Sequence, residues 1–576
     1  MLVRVALLFL PLLATAQTIC QPTPRYTPCD LVFDIPNTSP DKPVELRAEF
    51  RSPRARTALM NAFSDGGTRW IIRYTPTEAG SYDFRLTSKI TDLNGKTGSF
   101  TALPNKNPGW LRAANLHHFA YVDEINLTPH LWMGAVVPNF PSLSMEQWRQ
   151  LVDTRAGQHF NHLAVTLVDQ SVAKNNAAQF DDFRDVEAKI RYANEKGILV
   201  DVAFFAGNNL VNTVLNDRAG RAQWFENAIS RLAAFDVTWQ GIEAWETYPN
   251  GRELLREIGD AITKFDPYKH TRSSRTNLST APLVDDGWLR YRSYSTTDAA
   301  LEAVDHQAFQ YPAVNNFTST AGNFRRDLWT ATMNGQYPSP LLPNEANSDE
   351  MKIWYEFMAS TRHWELEPFF DLDNGRALAY DGVEYIVYVD KPGPVNVNLE
   401  KHKYDIEWFN PANGERVKVK AERIEVFNDA PPDAIHDWVL HISREGHKAG
   451  MLKSFKFDSR EEQPALQLQL VEADPAKVPY EIELPNADTL SLSKPVQFKI
   501  KLKRETKATK KLLVTWTGEV TVDNQSFRVL GTGLEGTLNI PADIARNYPA
   551  ALHIKVSGLN GLGKLYSVDR NYTLTK

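Results

Sequence analysis

The spacing of hydrophobic and polar residues changes several times along the 576-residue chain. Between about residues 31 and 107, apolar and polar residues alternate in short runs that are separated by turn sequences. Such alternation predicts β-strands, because successive side chains of a strand point to opposite faces of its sheet. The region 17–108 is therefore predicted to be a β-sandwich. Its clearest predicted strands are 44–50, 69–74 and 81–86.

From residue 109 to 368 the pattern alternates between strand and helix. The predicted strands are 131–137, 163–168, 198–205, 237–245, 271–275, 288–295, 313–317 and 337–342. The predicted helices are 145–157, 183–196, 221–234, 252–265, 298–308, 323–333 and 349–362. A strand–helix series of about 250 residues is typical of a (β/α)₈ TIM barrel. An open doubly wound sheet would have fewer units, and no glycine-rich phosphate loop follows any of these strands.

After residue 368 the helical pattern ends and alternation returns. Strands are predicted at 384–388, 404–409 and 438–442 in a second sandwich, 369–472, and at 496–502, 512–516 and 552–556 in a last immunoglobulin-like β-domain, 473–576. A segment rich in Pro and Asp, 473–479, joins the two. The predicted fold class is a multidomain chain with a central TIM barrel flanked by all-β immunoglobulin-like sandwiches.

The N-terminus predicts the compartment. Residues 1–16 contain one arginine, an apolar run over 5–13 and the small-x-small sequence Ala14-Thr15-Ala16, which together are typical of a signal peptide. We therefore expect an exported protein, periplasmic, cell-surface or extracellular, and no later segment is apolar over the ~20 residues that a membrane helix needs. Cys20 and Cys29 are the two cysteines of the chain. In an oxidising compartment we expect them to form a disulfide.

Composition narrows the possible functions. The chain is 42% hydrophobic and 23% charged, as in ordinary globular proteins, and its net charge of −6 comes without a basic run. A nucleic-acid partner is therefore not expected. Two cysteines exclude a cysteine-rich zinc module, and the histidines are scattered, with His117-His118 at a predicted domain junction. Neither a metal site nor a cofactor is predicted, and the oligomeric state stays open.

Active sites of (β/α)₈ barrels lie at the carboxyl ends of the strands. Carboxylates, amides, an arginine and aromatic rings that face one cavity would suit carbohydrate chemistry, because glycosidic cleavage needs two carboxyl groups and sugar rings stack on flat aromatic faces. Polar and aromatic residues at these predicted strand ends are Asp169, Glu243, Trp245, Glu246, Arg275, Asn277, Tyr294, Asp298, Asn315, Asn316 and Glu345.

Glu246 is the predicted general acid. It ends the fourth predicted strand beside Trp245, and an aromatic neighbour can raise the pKa of a carboxyl group to the range that an acid catalyst needs. A helix cap or an arginine pair is the structural alternative for Glu246. Glu243 lies deeper in the strand and is predicted to be a structural partner. Trp245 stays open between a core residue and a sugar-stacking platform.

Three sequence segments resemble a known family. Phe50-Arg51-Ser52-Pro53 with residues 70–82 resembles the N-terminal β-sandwich of exported bacterial glycosidase-like proteins, and residues 109–112 and 118–121 resemble their junction into a barrel. The barrel is similar to the apiosidase-like group of glycoside hydrolases. Residues 384–388 and 408–415 look like the following sandwich, of the collagen-binding type. A collagen ligand does not follow from this label, because a shared fold does not fix a ligand.

This resemblance implies specific catalytic positions. In such hydrolases the acid/base lies at the tip of strand 4, which corresponds to Glu246, and the nucleophile is a glutamate at the tip of strand 7. This chain has Asn315 and Asn316 there, and an amide is neither an anionic nucleophile nor a general base. Glu345 is therefore predicted as the second catalytic carboxylate. The predicted substrate-binding residues are Trp245, Arg275, Asn277, Tyr294, Asn315, Asn316, Asp298 and Asp169.

Two alternatives stay open. Asp298 or Asp169 could serve as the base of an inverting reaction, although each precedes a helix and is also predicted to cap it. The barrel could instead bind glycans without cleaving them. The predicted functions are thus a glycoside hydrolase acting on a poly- or oligosaccharide and, from a different class, a glycan-binding or surface-associated protein.

Overall fold

The computed structural model describes residues 16–18, 20, 22–38, 44–114, 116–123, 127–174, 180–420, 423–444, 478–491, 495–506, 509–522, 525–538 and 550–575. The predicted signal peptide lies outside the described residues except for Ala16, and so does most of the predicted segment 473–479. The described chain is multidomain and rich in β-structure. Mainly antiparallel sheets precede and follow a helix-bearing parallel region along the chain.

The first nine strands form two sheets. They are β1 (Ala16–Thr18), β2 (Thr23–Pro24), β3 (Cys29–Asp34), β4 (Leu46–Arg51), β5 (Thr57–Asn61), β6 (Phe63–Ser64), β7 (Arg69–Tyr74), β8 (Gly80–Ser88) and β9 (Thr97–Leu103). The sheet orders are β1-β3-β7-β6 and β2-β9-β8-β4-β5. Along β4 and β8, buried residues alternate with exposed ones, as expected of strands with one face on a core. Cys20 and Cys29 form a disulfide with a Cα–Cα distance of 5.4 Å.

A three-stranded antiparallel sheet leads into the helix-bearing region. It consists of β10 (Trp110–Ala114), β11 (His118–Val122) and β12 (Leu127–His130). Its apolar residues Trp110, Leu111 and Phe119 belong to the same hydrophobic cluster as the first two sheets and the parallel strands. These parts of the chain therefore pack on one continuous core.

Parallel strands alternate with helices in the central region. The strands are β13 (Gly134–Val136), β14 (His162–Val168), β15 (Leu199–Phe205), β16 (Val237–Trp239), β17 (Arg292–Tyr294), β18 (Ala313–Asn315) and β19 (Gln336–Pro338). The helices are α1 (Met145–Gly157), α2 (Gln170–Lys174), α3 (Phe180–Glu195), α4 (Leu210–Val214), α5 (Arg218–Leu232), α6 (Gly251–Phe265), α7 (Ala299–Ala308), α8 (Phe324–Met333) and α9 (Glu345–Met358). Short 3₁₀ segments lie at Phe140–Ser142, Trp245–Thr247 and Ala281–Asp286.

Pairing between these strands runs in the order β13-β14-β15-β16 and β17-β18-β19. A parallel bridge from Trp239 to Arg272 continues the first series, and the backbone N–H of Arg290, next to β17, donates to the Arg272 carbonyl at 2.8 Å. Another parallel bridge joins Val136 of β13 to Leu341, just after β19. β14 and β15 are buried along their whole length, as expected of parallel strands that are covered on both faces.

Two further β-regions follow. The first contains β20 (Glu367–Phe369), β21 (Arg376–Tyr380), β22 (Glu384–Val389), β23 (Val395–Phe409), β24 (Arg416–Val419), β25 (Arg423–Asp429) and β26 (Trp438–Arg444), in the order β20-β21-β22-β26-β23-β24 with β25 paired to β23. The second contains β27 (Tyr480–Glu483), β28 (Thr489–Ser491), β29 (Val496–Leu502), β30 (Leu513–Val522), β31 (Gln525–Thr532), β32 (Glu535–Leu538), β33 (Ala550–Leu559) and β34 (Leu565–Thr575).

The last β-region packs directly on the central region. Ala303, Val304 and Ala308 of α7 form an apolar cluster with Leu559 and Leu565. A helix that packs between parallel strands and a neighbouring sheet is buried on two sides, and seven of the ten residues of α7 are buried, among them the polar residues Glu302, Asp305 and His306. Among the described residues, no helix combines the length and the apolar character that a membrane crossing requires.

Candidate functional site

Glu243 occupies the carboxyl end of the fourth parallel strand. Its backbone N–H donates to the Phe205 carbonyl at 2.8 Å, which places it one step beyond the parallel bridge between Ile242 and Phe205. The Glu243 side chain turns across the end of the sheet: Oε1 lies 3.0 Å from Nη2 of Arg275, and Oε2 accepts a hydrogen bond from Thr166 Oγ1 at 3.0 Å.

Arg275 closes this arrangement into a triangle. Its Nη1 donates to Thr166 Oγ1 at 2.9 Å, so Thr166 of β14, Glu243 beyond β16 and Arg275 beyond the bridge at Arg272 share one polar network. The Arg275 side chain is 9% exposed and that of Glu243 is 35% exposed. The guanidinium is therefore fixed by the protein, while part of the carboxylate faces solvent.

Glu246 lies in the 3₁₀ turn Trp245–Thr247, and the predicted strand 237–245 is observed only as Val237–Trp239. The strand ends at Trp239 because Gly241 and Ala244 both adopt left-handed backbone conformations, with φ of 48°. Gly251 packs directly against this turn. A Cβ at position 251 would lie 2.1 Å from the Trp245 carbonyl oxygen, so only glycine fits there.

The Glu246 carboxylate is turned back onto the segment that follows Arg275, although the residue as a whole is exposed. Thr276 Oγ1 donates a hydrogen bond to Oε1, and the backbone N–H of Asn277 lies 3.1 Å from Oε1 and 3.2 Å from Oε2. Removal of this carboxyl group from water raises its pKa above the usual value, and the hydrogen bonds from Thr276 and Asn277 oppose the rise without cancelling it. A rise is the direction of pKa shift expected of a carboxyl group that donates a proton.

Trp245 is a core residue in this structure. Its side chain is buried, and its Nε1 has no hydrogen-bond partner among the described residues. A buried ring offers no face for a sugar to stack on. Of the two predicted interpretations of Trp245, the structure therefore supports the packing role.

The candidate residues of strands β17 and β18 divide between two faces. Asn316, directly after β18, donates from Nδ2 to Ser293 Oγ at 3.1 Å, and its Oδ1 has no partner among the described residues. Tyr294 and Asn315 point the other way, towards α7. Tyr294 Oη donates to Asp305 Oδ2 at 3.1 Å, and Asn315 Nδ2 lies 3.0 Å from Glu302 Oε1.

Tyr294 and Asn315 are both fully buried. The predicted substrate contacts of these two residues therefore need correction, because their side chains lie between strand and helix and do not reach a solvent-filled cleft. The sequence pattern placed both residues at strand ends but did not indicate which face of each strand is the inner one.

Glu302 is an unexpected buried acid behind this strand. Its two carboxylate oxygens accept hydrogen bonds from Asn315 Nδ2 and, at 2.8 Å, from Asn334 Nδ2. Burial raises the pKa of Glu302 to about 8, and the Asn334 hydrogen bond only partly offsets this. The Asn315 side chain therefore forms its hydrogen bonds inside the protein.

Glu345 does not join Glu246. It is the first residue of α9, where its carboxylate forms a bidentate pair with Arg155 of α1, at 2.8 Å from Nη1 and 2.9 Å from Nη2. The hydrogen bonds from Arg155 lower the pKa of Glu345, which is the opposite of what a proton donor needs. Its contacts are therefore those of a residue that links two helices.

Asp169 and Asp298 are helix caps, as the sequence also indicates. Asp169 Oδ1 accepts from the backbone N–H groups of Ser171 and Val172, at 2.9 and 3.1 Å. Asp298 Oδ1 accepts from Ala300 and Leu301 at the start of α7, and its Oδ2 accepts from Thr532 Oγ1 of the last β-region at 2.6 Å. Both carboxylates already satisfy backbone donors.

Comparison with known proteins identifies one family model and several solved structures. The model described as a domain of unknown function, DUF5060, matches residues 22–89, within the first two sheets. A search of curated proteins finds no match to this chain. The structural matches are more extensive.

A proposed glycoside hydrolase from Bacteroides vulgatus superposes with a TM-score of 0.64 at 16% identity, covering 74% of this chain and 100% of its own. A glycoside hydrolase family 5 structure from the same organism gives a TM-score of 0.52 at 13% identity, covering 59% of this chain and 93% of its own. A third structure, described as a glycoside hydrolase, gives 0.52 at 13% identity over 59% of this chain and 97% of its own. These likenesses show a fold that this chain shares with glycoside hydrolases.

Proposed function

We propose that this chain is an exported glycoside hydrolase that cleaves a poly- or oligosaccharide at the carboxyl ends of its parallel strands. The observation that carries the proposal is the placement of two carboxylates at the end of one strand: Glu243 is bound by Arg275, and Glu246 by the next residue, Thr276. A fold shared with glycoside hydrolases supports it. The central region would be a (β/α)₈ barrel of the apiosidase-like type, flanked by immunoglobulin-like sandwiches.

The two carboxylates have different environments, which suit different catalytic roles. Glu246, with its raised pKa, is the proton donor to the leaving glycosidic oxygen. Glu243 forms an ion pair with Arg275 and acts as the anionic partner, as a nucleophile or as the base that activates water. Glu243 thus replaces Glu345, Asp169 and Asp298 as the second carboxylate, because these three already serve helix ends.

Substrate contacts follow from the same arrangement. Arg275 and Asn277 border the two carboxylates, and Asn316 lies at the end of the seventh strand with a buried amide oxygen that has no hydrogen-bond partner in the part of the chain that the structure describes. A sugar hydroxyl that donates to Asn316 Oδ1 would satisfy this group, because a buried polar atom without a hydrogen bond is costly. The partner of this site is therefore a carbohydrate, and the mature chain would act outside the cytoplasm.

Reducing-sugar release from a panel of plant, algal and bacterial polysaccharides tests the proposal. We expect release by the mature chain, and a loss of at least about 100-fold in kcat in both Glu243→Gln and Glu246→Gln. Glu345→Gln is the matched control and should retain activity. Activity that survives in Glu246→Gln would overturn the assignment of the acid.

One observation favours a second candidate function. The strand-7 position that carries the nucleophile in similar hydrolases is an asparagine here, and the chain could bind glycans without cleaving them. In that case no polysaccharide in the panel would release reducing ends, while at least one would bind in a saturable manner. Asn316→Asp would then be the variant to test for a gain of activity.

A further inference from the structure

Three histidines surround one carboxylate where three parts of the fold meet. His117 lies in the turn between β10 and β11, His306 in α7, and Glu367 is the first residue of β20. Nδ1 of His117 lies 2.9 Å from Glu367 Oε2, and Nε2 of His306 lies 2.7 Å from the same oxygen. His118 is next to them, with its Nε2 3.4 Å from Glu367 Oε1. We call these four residues the histidine–carboxylate cluster.

The hydrogen bonds of His117 indicate that the cluster lacks a positive charge. Its Nε2 lies 2.9 Å from the Phe309 carbonyl, which can only accept, so Nε2 carries the hydrogen. In the neutral imidazole, Nδ1 then has a lone pair, and this lone pair faces the Glu367 carboxylate, which is also an acceptor. Two acceptors at hydrogen-bond distance require a cation between them, either a second proton or a metal ion.

We propose that His117 Nδ1, His306 Nε2 and a Glu367 carboxylate oxygen bind one zinc ion, with water as the fourth ligand. The three donor atoms lie within 4.8 Å of one another. Two imidazoles and one carboxylate are a ligand set that Zn²⁺ accepts in tetrahedral geometry, whereas Ca²⁺ and Mg²⁺ prefer oxygen ligands alone. The Glu367 side chain is 39% exposed and that of His117 is 12% exposed, so an ion and its water can reach the cluster.

The nitrogen–oxygen distances within the cluster are close to those of a zinc site. Two ligand atoms about 2.0–2.1 Å from a tetrahedral ion lie about 3.3 Å apart, a few tenths of an ångström more than the present nitrogen–oxygen distances. The Phe309 carbonyl would orient His117, and His118 would orient the Glu367 carboxylate. Metal-binding imidazoles and carboxylates commonly have such outer hydrogen-bond partners.

An ion bound in this cluster would link distant parts of the chain. His117 precedes the central region, His306 belongs to it, and Glu367 begins the sheet that follows it. One ion would therefore connect three parts of the fold. No local spacing could predict this, since 250 positions separate His117 from Glu367 and 61 separate His306 from Glu367.

Metal titration of the full mature chain tests the proposal. After treatment with EDTA and dialysis, calorimetric titration with ZnCl₂ should show one equivalent bound, elemental analysis should recover one zinc per chain, and the melting temperature should rise with zinc but not with MgCl₂. Cobalt(II) should give the visible absorption bands of a four-coordinate site. Glu367→Gln and His117→Gln should weaken zinc binding at least about tenfold.

His159→Gln is the matched control, because His159 pairs with another glutamate, Glu356, at 3.6 Å and lies outside the cluster. It should bind zinc as the unmodified chain does. Equal zinc affinity in Glu367→Gln and the unmodified chain would overturn the proposal, as would a lack of zinc binding, which would leave a doubly protonated His117 as the cation. If the variants fail to fold, the absence of cobalt bands in the unmodified chain would overturn it.

Discussion

The Arg275 guanidinium lies 3.0 Å from the Glu243 carboxylate across the carboxyl ends of adjacent strands. This pair identifies Glu243 as a carboxylate that faces the end of the parallel sheet, where the sequence pattern predicts only a structural role. The two acidic residues also differ in their partners. Glu243 is paired with a cation, whereas Glu246 accepts hydrogen bonds from neutral donors.

Arg275→Met should reduce activity by about 100-fold through kcat more than through KM, because the guanidinium positions the Glu243 carboxylate. The free energy of unfolding should fall by about 1–3 kcal/mol, since a hydrogen-bonded charge loses its partner. Steady-state kinetics and urea denaturation measure the two effects. Arg275→Lys should recover part of the activity, since it keeps the charge but not the forked geometry. Full activity in Arg275→Met would contradict the assigned role of Glu243.

Thr276→Val should move the alkaline limb of the pH–activity profile to higher pH. The hydroxyl of Thr276 donates to the ionised Glu246 carboxylate and so lowers its pKa, which burial raises. Without this donor the carboxyl group holds its proton to higher pH, and a general acid stays active for as long as it is protonated. The measurement is kcat/KM across the pH range for both proteins.

Thr247→Val is a suitable control for that shift. Thr247 belongs to the same turn, but its hydroxyl contacts the backbone of Asn208 and Ala244 instead of the Glu246 carboxylate. The alkaline limb should keep its position in this variant. A shift in the opposite direction in Thr276→Val would show that Glu246 is not the acid.

Glu345→Gln should leave activity within about twofold of the unmodified chain. Its carboxylate is 71% exposed and paired with Arg155, so the expected loss is one of stability, of at most about 1 kcal/mol. Sugar release and urea denaturation distinguish the two kinds of effect. A loss of activity as large as that of Glu246→Gln, without a loss of stability, would restore Glu345 as the second catalytic carboxylate.

The sequence pattern predicted much of the local structure. The predicted helix 145–157 is observed as Met145–Gly157, where Ser144 and Gln147 form a capping box, and the predicted strand 69–74 is observed as Arg69–Tyr74. These elements depend on periodicity and on caps, which are local properties of the chain. The predicted strand 271–275 appears instead as a single parallel bridge at Arg272.

The directions in which side chains point were harder to predict from the sequence than the strands and helices themselves. Strand periodicity places Asn315 and Asn316 on opposite faces, but only the packing of α7 decides that Asn315 meets Glu302 and that Asn316 meets Ser293. Likewise, the partner of Glu345 comes from a helix 190 positions earlier in the chain. Contacts of this kind depend on how distant elements pack, which spacing along the chain does not encode.

Glu302 should make the stability of the protein fall as pH rises from about 5 to 8. Burial raises the folded-state pKa of Glu302 to about 8, from the ordinary value of 4.5 for a glutamate in water. Between these two pH values the folded chain holds a proton that the unfolded chain has released, so the free energy of unfolding decreases with pH and the contribution is lost above about pH 8. The expected loss is on the order of a few kcal/mol, measured by urea denaturation at several pH values.

Glu302→Gln isolates this contribution, because glutamine keeps the shape of the protonated acid and does not titrate. Asp236, whose pKa burial raises to about 7, contributes a slope of the same sign and should remain in the variant. The stability of Glu302→Gln should therefore fall less steeply with pH than that of the unmodified chain, and the two curves should diverge most near pH 8. Parallel curves from pH 5 to 8 would mean that Glu302 is already ionised in the folded protein and that Asn315 and Asn334 stabilise its charge.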